Sequence, residues 1–171
     1  MNSPTEVSVT KESLAFSAAH FLTLPGHVCE RLHGHNYRVG VRVEGQVDPA
    51  TGFVADFAVL KQVIRALIEP LDHRLLIPAD NPDLRIREDG DHLRLDYRGP
   101  DWLVIPRPHA CLLPVRHTTA ELLAAYLGDQ VWAGLTTGGV GGLQRVIVEV
   151  EESPGQGAAV ERGPGARPFM S

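Results

Sequence analysis

Leu14, Phe16 and Ala18 recur at every second position from Ser13 up to His20, the period of a strand with one buried face. Residues 21–32 carry Pro25 and Gly26 and read as a loop. The alternation resumes over 35–45 (HNYRVGVRVEG), with Tyr37, Val39, Val41 and Val43 on one parity and Asn36, Arg38 and Arg42 on the other. Two such strands joined by that loop predict a long antiparallel hairpin. Residues 46–52 (QVDPATG) are a Pro/Gly turn with Asp48 and Thr51 as capping groups. The period then becomes helical. Phe57, Leu60, Ile64, Leu67 and Ile68 form an apolar stripe over about 57–70, with Pro70 at the stop.

Residues 78–116 are the least regular stretch. An Asp89-Gly90 turn between 84–87 and 93–97 predicts an inserted hairpin, and 102–105 a third short strand. A second helix starts at Thr118 or Thr119 as N-cap, has Glu121 in its first turn, and runs to about Trp132. Residues 134–142 read as a flexible glycine-rich link, and 145–152 (RVIVEVEE) as a final strand of strict alternation. Residues 1–9 read as a loose leader, and the Gly- and Pro-rich tail 154–171 as flexible. Two strands, a helix, inserted strands, a helix and a strand, without internal repeat, predict an α+β fold with a mainly antiparallel sheet.

Composition narrows the setting. With 171 residues, 43% of them hydrophobic and 22% charged, the chain suits one domain over 1–171, with a core that needs no disulfides. A net charge of −5 gives no basic field for nucleic acid or an anionic membrane. No apolar run approaches membrane-spanning length, and the polar start MNSPTEVSVTKES lacks a signal segment. The two cysteines, Cys29 and Cys111, cannot form a framework, so a reducing cytoplasm is the simplest setting. Eight histidines, four of them within residues 20–35, point to where chemistry sits.

His33 and His35 stand two apart at the start of the second strand, so both imidazoles face the same side. Gly34 between them lets another backbone approach on the opposite side. His20 ends the preceding strand, and antiparallel pairing returns it beside them. Three neutral imidazoles suit zinc and leave one coordination position open, the catalytic pattern. Cys29 lies in the loop next to that position. An activated thiol acting as base or nucleophile, a fourth zinc ligand and an inert buried thiol are all compatible with its spacing. His27 reads as solvent-exposed and Cys111, in ACLLPV, as a core cysteine.

FSAAH (16–20), CERLHGHNY (29–37), the G-x-V-D-P-x-T-G-x-V-x-D-F run (45–57), LDH (71–73), TTAEL (118–122) and VIVEVEE (146–152) occur in the order seen in 6-pyruvoyl-tetrahydropterin synthase-like enzymes. The resemblance covers about 12–77 and 115–153. Three residues between Cys29 and His33 resemble the 6-carboxytetrahydropterin synthase branch of queuosine biosynthesis; the animal pyruvoyl branch places five there.

The resemblance implies a tunnelling fold: a four-stranded antiparallel sheet with two helices on one face, here with an insertion at 78–116. It implies Zn2+ on His20, His33 and His35, Cys29 as catalytic thiol, and Asp72 and His73 as its proton-handling partners across a subunit interface. Glu151 is the implied pterin anchor, with Glu149 and Glu152 within its register, and Thr118 and Thr119 stand beside the pterin or serve only as caps. Implied too are a pterin triphosphate substrate, a homo-oligomer (a trimer or a dimer of trimers), and conversion of 7,8-dihydroneopterin triphosphate to 6-carboxytetrahydropterin, acetaldehyde and triphosphate. The pyruvoyl product and a non-catalytic zinc- and pterin-binding paralogue are the alternatives.

Overall fold

The computed structural model of the chain describes residues 4–9 and 14–169. The predicted hairpin forms from β2 (Ala15–His20) and β3 (His33–Gly45), paired Phe16↔Tyr37, Ala18↔His35 and His20↔His33. β1 (Thr5–Val9) continues the same edge of β3, with Val7 opposite Val43, so the expected loose leader is a strand over these residues. Residues 1–3 of that leader lie outside the described residues.

β9 (Leu143–Ser153) lies on the other side of β3, aligning Val39, Val41 and Val43 with Val150, Val148 and Val146. The tail expected to be flexible turns back at Pro154-Gly155, where Gly155 has φ +78°, and forms β10 (Gln156–Arg162) against β9. Pro fixes the first turn position and Gly supplies the positive φ of the second, so these residues make the hairpin instead of preventing it. Farther on, the Phe169 N–H donates to Asp129 Oδ2 at 2.7 Å. Residues 170–171 lie outside the described residues.

β10-β9-β3-β2 make the four-stranded antiparallel sheet that the resemblance implies, its fourth strand coming from the supposed tail, and the sheet extends beyond them. β4 (Arg74–Pro78) pairs parallel with β2, and the four-residue strand Ala110–Leu113 pairs parallel with β4. Between those two, 78–116 holds a separate antiparallel sheet of β5 (Arg85–Asp89), β6 (His92–Asp96) and β7 (Leu103–Pro106). Ala110–Leu113 is then β8. The segment 78–116 is therefore more than a hairpin, since it also contributes β8 to the main sheet.

α1 (Phe57–Ile68) starts at Asp56, whose carboxylate accepts the Ala58 N–H at 2.7 Å. α2 (Ala120–Thr137) starts at Thr119. Leu60 and Ile64 of α1 and Leu123, Leu127, Val131 and Leu135 of α2 share one core with the valines of β3 and β9. Burial of each such side chain is worth about 1.5–3 kcal/mol. The link expected from Gly134 onward instead begins as helix. A Cβ at Gly134 would meet Val63 Cγ1 at 2.8 Å, so this glycine lets α1 and α2 approach. A second core, including Phe21, Ile77, Leu93, Leu95 and Tyr97, joins the small sheet to the large one.

Candidate metal centre and active site

The β2–β3 ladder sets the site. Phe16 stacks on Tyr37 at 4.9 Å between centroids, and His20, His33 and His35 continue the same sheet face at its rim. Gly34 faces away from them, where a Cβ would lie 3.0 Å from the Ala18 carbonyl oxygen, so a side chain there would force the two strands apart. One nitrogen from each histidine lies within 4.8 Å of the others. Three nitrogens on one tetrahedral zinc-sized ion stand ~3.4 Å apart, so small side-chain rotations would bring this trio onto an ion.

The hydrogen bonds around the trio decide which nitrogen each histidine presents. His20 Nδ1–H donates to the Thr118 carbonyl oxygen at 3.0 Å, and His33 Nδ1–H donates to that of Arg31 at 2.7 Å. A carbonyl can only accept, so both rings are held with a bare Nε2 facing the site. His35 Nδ1 lies 3.4 Å from Ser153 Oγ, again leaving Nε2 inward. His20 Nε2 is buried and makes no hydrogen bond, and the ring is 2% exposed. Burial first, then the neighbouring His33, lowers the His20 pKa to about 4, so it stays a neutral ligand near pH 7. A buried nitrogen without a hydrogen bond beside two other imidazoles fits a metal ion.

Cys29 sits in the one-turn 3-10 segment Val28–Glu30, capped by exposed His27, whose Nδ1 accepts the Cys29 N–H at 3.2 Å. Cys29, His20, His33, Thr119 and Glu152 line one cavity of about 400 Å³, closed on one side by residues 155–157. Cys111, expected in the core, is half-buried against it, and burial pushes its thiol up.

The three candidate glutamates separate by face. Glu151 is paired in register with Arg38, its carboxylate 3.6 Å from the guanidinium on the sheet face away from the histidines. Glu149 shares that parity. Glu152 continues the parity of Val150 onto the core face and sits within a bulge, since Glu151 pairs with Gly157 and Ser153 with Gln156. Its Oε1 lies 3.3 Å from His20 Nε2 and 3.6 Å from His35 Nε2, and it accepts the Tyr37 O–H at 3.3 Å. Burial first, then Glu152, pushes the Tyr37 phenol up, so it remains a donor. Tyr37 and Ser153 join the site without having been anticipated, although the parity of Tyr37 with His33 and His35 was legible.

Thr118 is fully buried and serves His20 with both its carbonyl and its hydroxyl oxygen (3.2 Å). Thr119 caps α2, accepting the Leu122 N–H, while also lining the cavity. Asp72 and His73 form a pair at 2.9 Å, but away from Cys29. His73 is 82% exposed and lines a different groove with Asn36, Arg74 and Val104. The pair is anchored to β2: Asp72 Oδ1 accepts the Ser17 N–H at 2.8 Å, and the His73 N–H donates to the Ser17 carbonyl at 2.7 Å. The Ser17 bond first, then His73, holds the Asp72 carboxyl below its usual range. His73 has φ +56°, a left-handed conformation that costs a non-glycine residue about 1 kcal/mol or more.

Residues 8–163 match the family described as PTPS, 6-pyruvoyl tetrahydropterin synthase. A Methanocaldococcus jannaschii protein with the provisional name 6-carboxy-5,6,7,8-tetrahydropterin synthase is 30% identical over 158 residues, 92% of this chain and 95% of that one. Human 6-pyruvoyl tetrahydrobiopterin synthase is 53% identical over 45 residues, 26% of this chain and 31% of that one. The crystal structure of 6-pyruvoyl tetrahydropterin synthase from Plasmodium vivax superposes with a TM-score of 0.86 at 29% identity, covering 95% of this chain and 99% of that one. The α+β tunnelling fold expected from the motifs is thus the fold observed, with the wider sheet described above. The metal-competent histidine triad, the fold and a match spanning most of the sequence agree: the chain belongs to the 6-pyruvoyl tetrahydropterin synthase family.

Proposed function

We propose that the protein is a zinc-dependent 6-carboxytetrahydropterin synthase, acting on 7,8-dihydroneopterin triphosphate with one water consumed and releasing acetaldehyde and triphosphate. The observation that carries this reading is the cavity in which Cys29 meets His20 and His33, both held with a bare Nε2, beside His35 in the same cluster. The Cys29-x3-His33 spacing and the name of the M. jannaschii relative favour the carboxy product and, with it, queuosine biosynthesis.

His20, His33 and His35 would hold the metal, which would supply positive charge for the substrate's side-chain hydroxyls. Cys29 takes a proton from the substrate side chain, and the Asp72–His73 pair of a neighbouring chain relays it, a role suited to an imidazole. The separate grooves of Cys29 and His73 within one chain support a homo-oligomer, a trimer or dimer of trimers, that completes each site. Glu152 takes the part expected of Glu151: its carboxylate accepts from the pterin N3–H and 2-amino group, a bidentate grip. Thr118 and Thr119 act next to the pterin by fixing His20 and the start of α2. Two free cysteines suit a cytoplasmic setting. Among the described residues no helix is long and apolar enough to cross a membrane.

Incubation of the zinc-loaded protein with dihydroneopterin triphosphate, followed by mass analysis, tests the reading. 6-Carboxytetrahydropterin with acetaldehyde is expected. A 6-pyruvoyl product, which the similarity to the human enzyme makes the second reading, would replace the carboxy assignment. Pterin binding without turnover would make the protein a binding paralogue.

A further inference from the structure

Residues 78–116 supply no side chain to the metal centre, yet they grip the Cys29 loop at both ends. At its start, Phe21, next after His20, is buried in the second core with its ring 4.8 Å from Trp102. Two residues on, Thr23 Oγ1 accepts from Asn81 Nδ2 at 2.6 Å. At its end, Glu30, next after Cys29, takes three donors. Tyr97 O–H (2.8 Å) and Arg98 Nη1 (2.9 Å) reach Oε1, and the Gly26 N–H reaches Oε2 at 3.0 Å. Trp102 stands edge-on to Tyr97 at 5.6 Å, so one aromatic pair links the two grips.

Outside the insert, Thr118 Oγ1 donates to the Phe21 carbonyl at 3.3 Å and the His33 ring to that of Arg31 at 2.7 Å, so these holds act at the two ends of the loop and not on 24–30. Leu24, Val28 and Leu32 are exposed, and its regular structure is one turn of three residues. The Leu22 N–H, donating to the Cys29 carbonyl at 2.9 Å, closes the loop on itself without fixing it to the sheet. Hydrogen bonds to a carboxylate are about twice as strong as neutral ones, and two of the three on Glu30 come from the insert. The Tyr97 bond first, then that of Gly26, keeps the Glu30 carboxyl below its ordinary range, so the acceptor is charged whenever the enzyme works near neutrality.

We propose that the small sheet of the insert positions the catalytic thiol, with Tyr97 and Arg98 as positioning residues that act on Cys29 through Glu30. This rests on reading Cys29 as the proton-handling thiol. A group displaced by about 1 Å can lose up to ~10²-fold in rate, so a loop carrying such a group needs an external hold.

The test compares Tyr97→Phe/Arg98→Gln, which keeps the buried ring, with Glu30→Gln, which keeps an acceptor and loses the charge. The readouts are iodoacetamide alkylation of Cys29, resolved from Cys111 by peptide mass, together with metal content, thermal melting, kcat and KM. In folded, metal-loaded double variant, Cys29 should alkylate about threefold faster or more, with Cys111 unchanged. Its kcat should fall about tenfold while KM changes by less than about threefold. Glu30→Gln should lie between it and the parent. Alkylation and kcat within about twofold of the parent in both variants would overturn the proposal. If the double variant fails to fold, Glu30→Gln and the exposed Arg98→Gln decide by the same readouts. A parent with no turnover would refute the enzymatic reading alone, because the alkylation rates still report whether the insert sets the thiol.

Discussion

Glu152→Ala separates the two roles its position allows. If the carboxylate grips the pterin ring, its loss leaves two ring donors unpaired at about 1–3 kcal/mol each, a total of ~2–6 kcal/mol. Pterin affinity should then fall by about 30-fold to ~10⁴-fold. Tyr37 also loses the acceptor of its buried hydroxyl, so about 1–3 kcal/mol of fold stability should go with it. Glu151→Ala provides the control. It removes a pairing of its largely buried carboxylate (13% exposed) with the half-exposed Arg38 on the far face of the sheet, away from the histidines. Calorimetric titration with neopterin, metal analysis and thermal melting on both variants give the answer. The expected result is a large affinity loss with metal retained for Glu152→Ala, and near-parent behaviour for Glu151→Ala. Equal losses in the two, or a loss confined to Glu151→Ala, would refute the argument from sheet faces. Metal loss in Glu152→Ala would make the carboxylate a ligand, as its 3.3 Å approach to His20 Nε2 permits.

His33→Ala should reduce bound metal from near one equivalent per chain to a small fraction, measured on dialysed protein; full occupancy would remove the three-histidine site. Cys29→Ala should keep the metal and lose turnover by at least ~10²–10⁴-fold, and mixing it with His73→Ala during reassembly should restore activity if the two residues meet across chains. The Arg87 guanidinium grips Asp96 through two bonds of 2.9 and 2.8 Å and, with the Asp101 N–H, holds its carboxyl at about 2. A depressed carboxyl contributes stability that is complete above its unfolded value of about 3.9 and is lost as pH falls through about 2. Melting temperature should therefore drop less steeply between pH 4 and 2 in Asp96→Asn than in the parent.

The hairpin of β2 and β3 and its histidine cluster were legible because two periodicities coincide there. Alternation set the faces, and the i, i+2 histidines followed the same parity as Tyr37 and the core valines. β1 escaped because five residues of alternation, Thr5–Val9, are too few to distinguish from a polar leader. β10 was hidden behind the Gly and Pro content of 154–157, although Pro154-Gly155 is itself a turn signal. Gly134 was misread for a like reason: composition suggests freedom, whereas the glycine is there for contact with Val63. The resemblance points to Glu151 with Glu149 and Glu152 within its register, and alternation alone does not choose among them. The valines of β9 face the core, and continuing their parity leads to Glu152. Pairing of β4 and β8 in parallel has no local signature, since it depends on a crossover through a separate sheet.

The three histidines come from two strands adjacent in the chain, whereas the groups that orient and desolvate them come from far away. Thr118 is 98 residues from His20, and Ser153 is 118 from His35. Contacts local in sequence form early in folding, and distant ones wait for chain closure. The donor set is therefore assembled by the hairpin alone, whereas the burial and tautomers of its histidines depend on α2 and β9. Any ion taken by the early hairpin would meet its buried, oriented ligands only once α2 and β9 close over it.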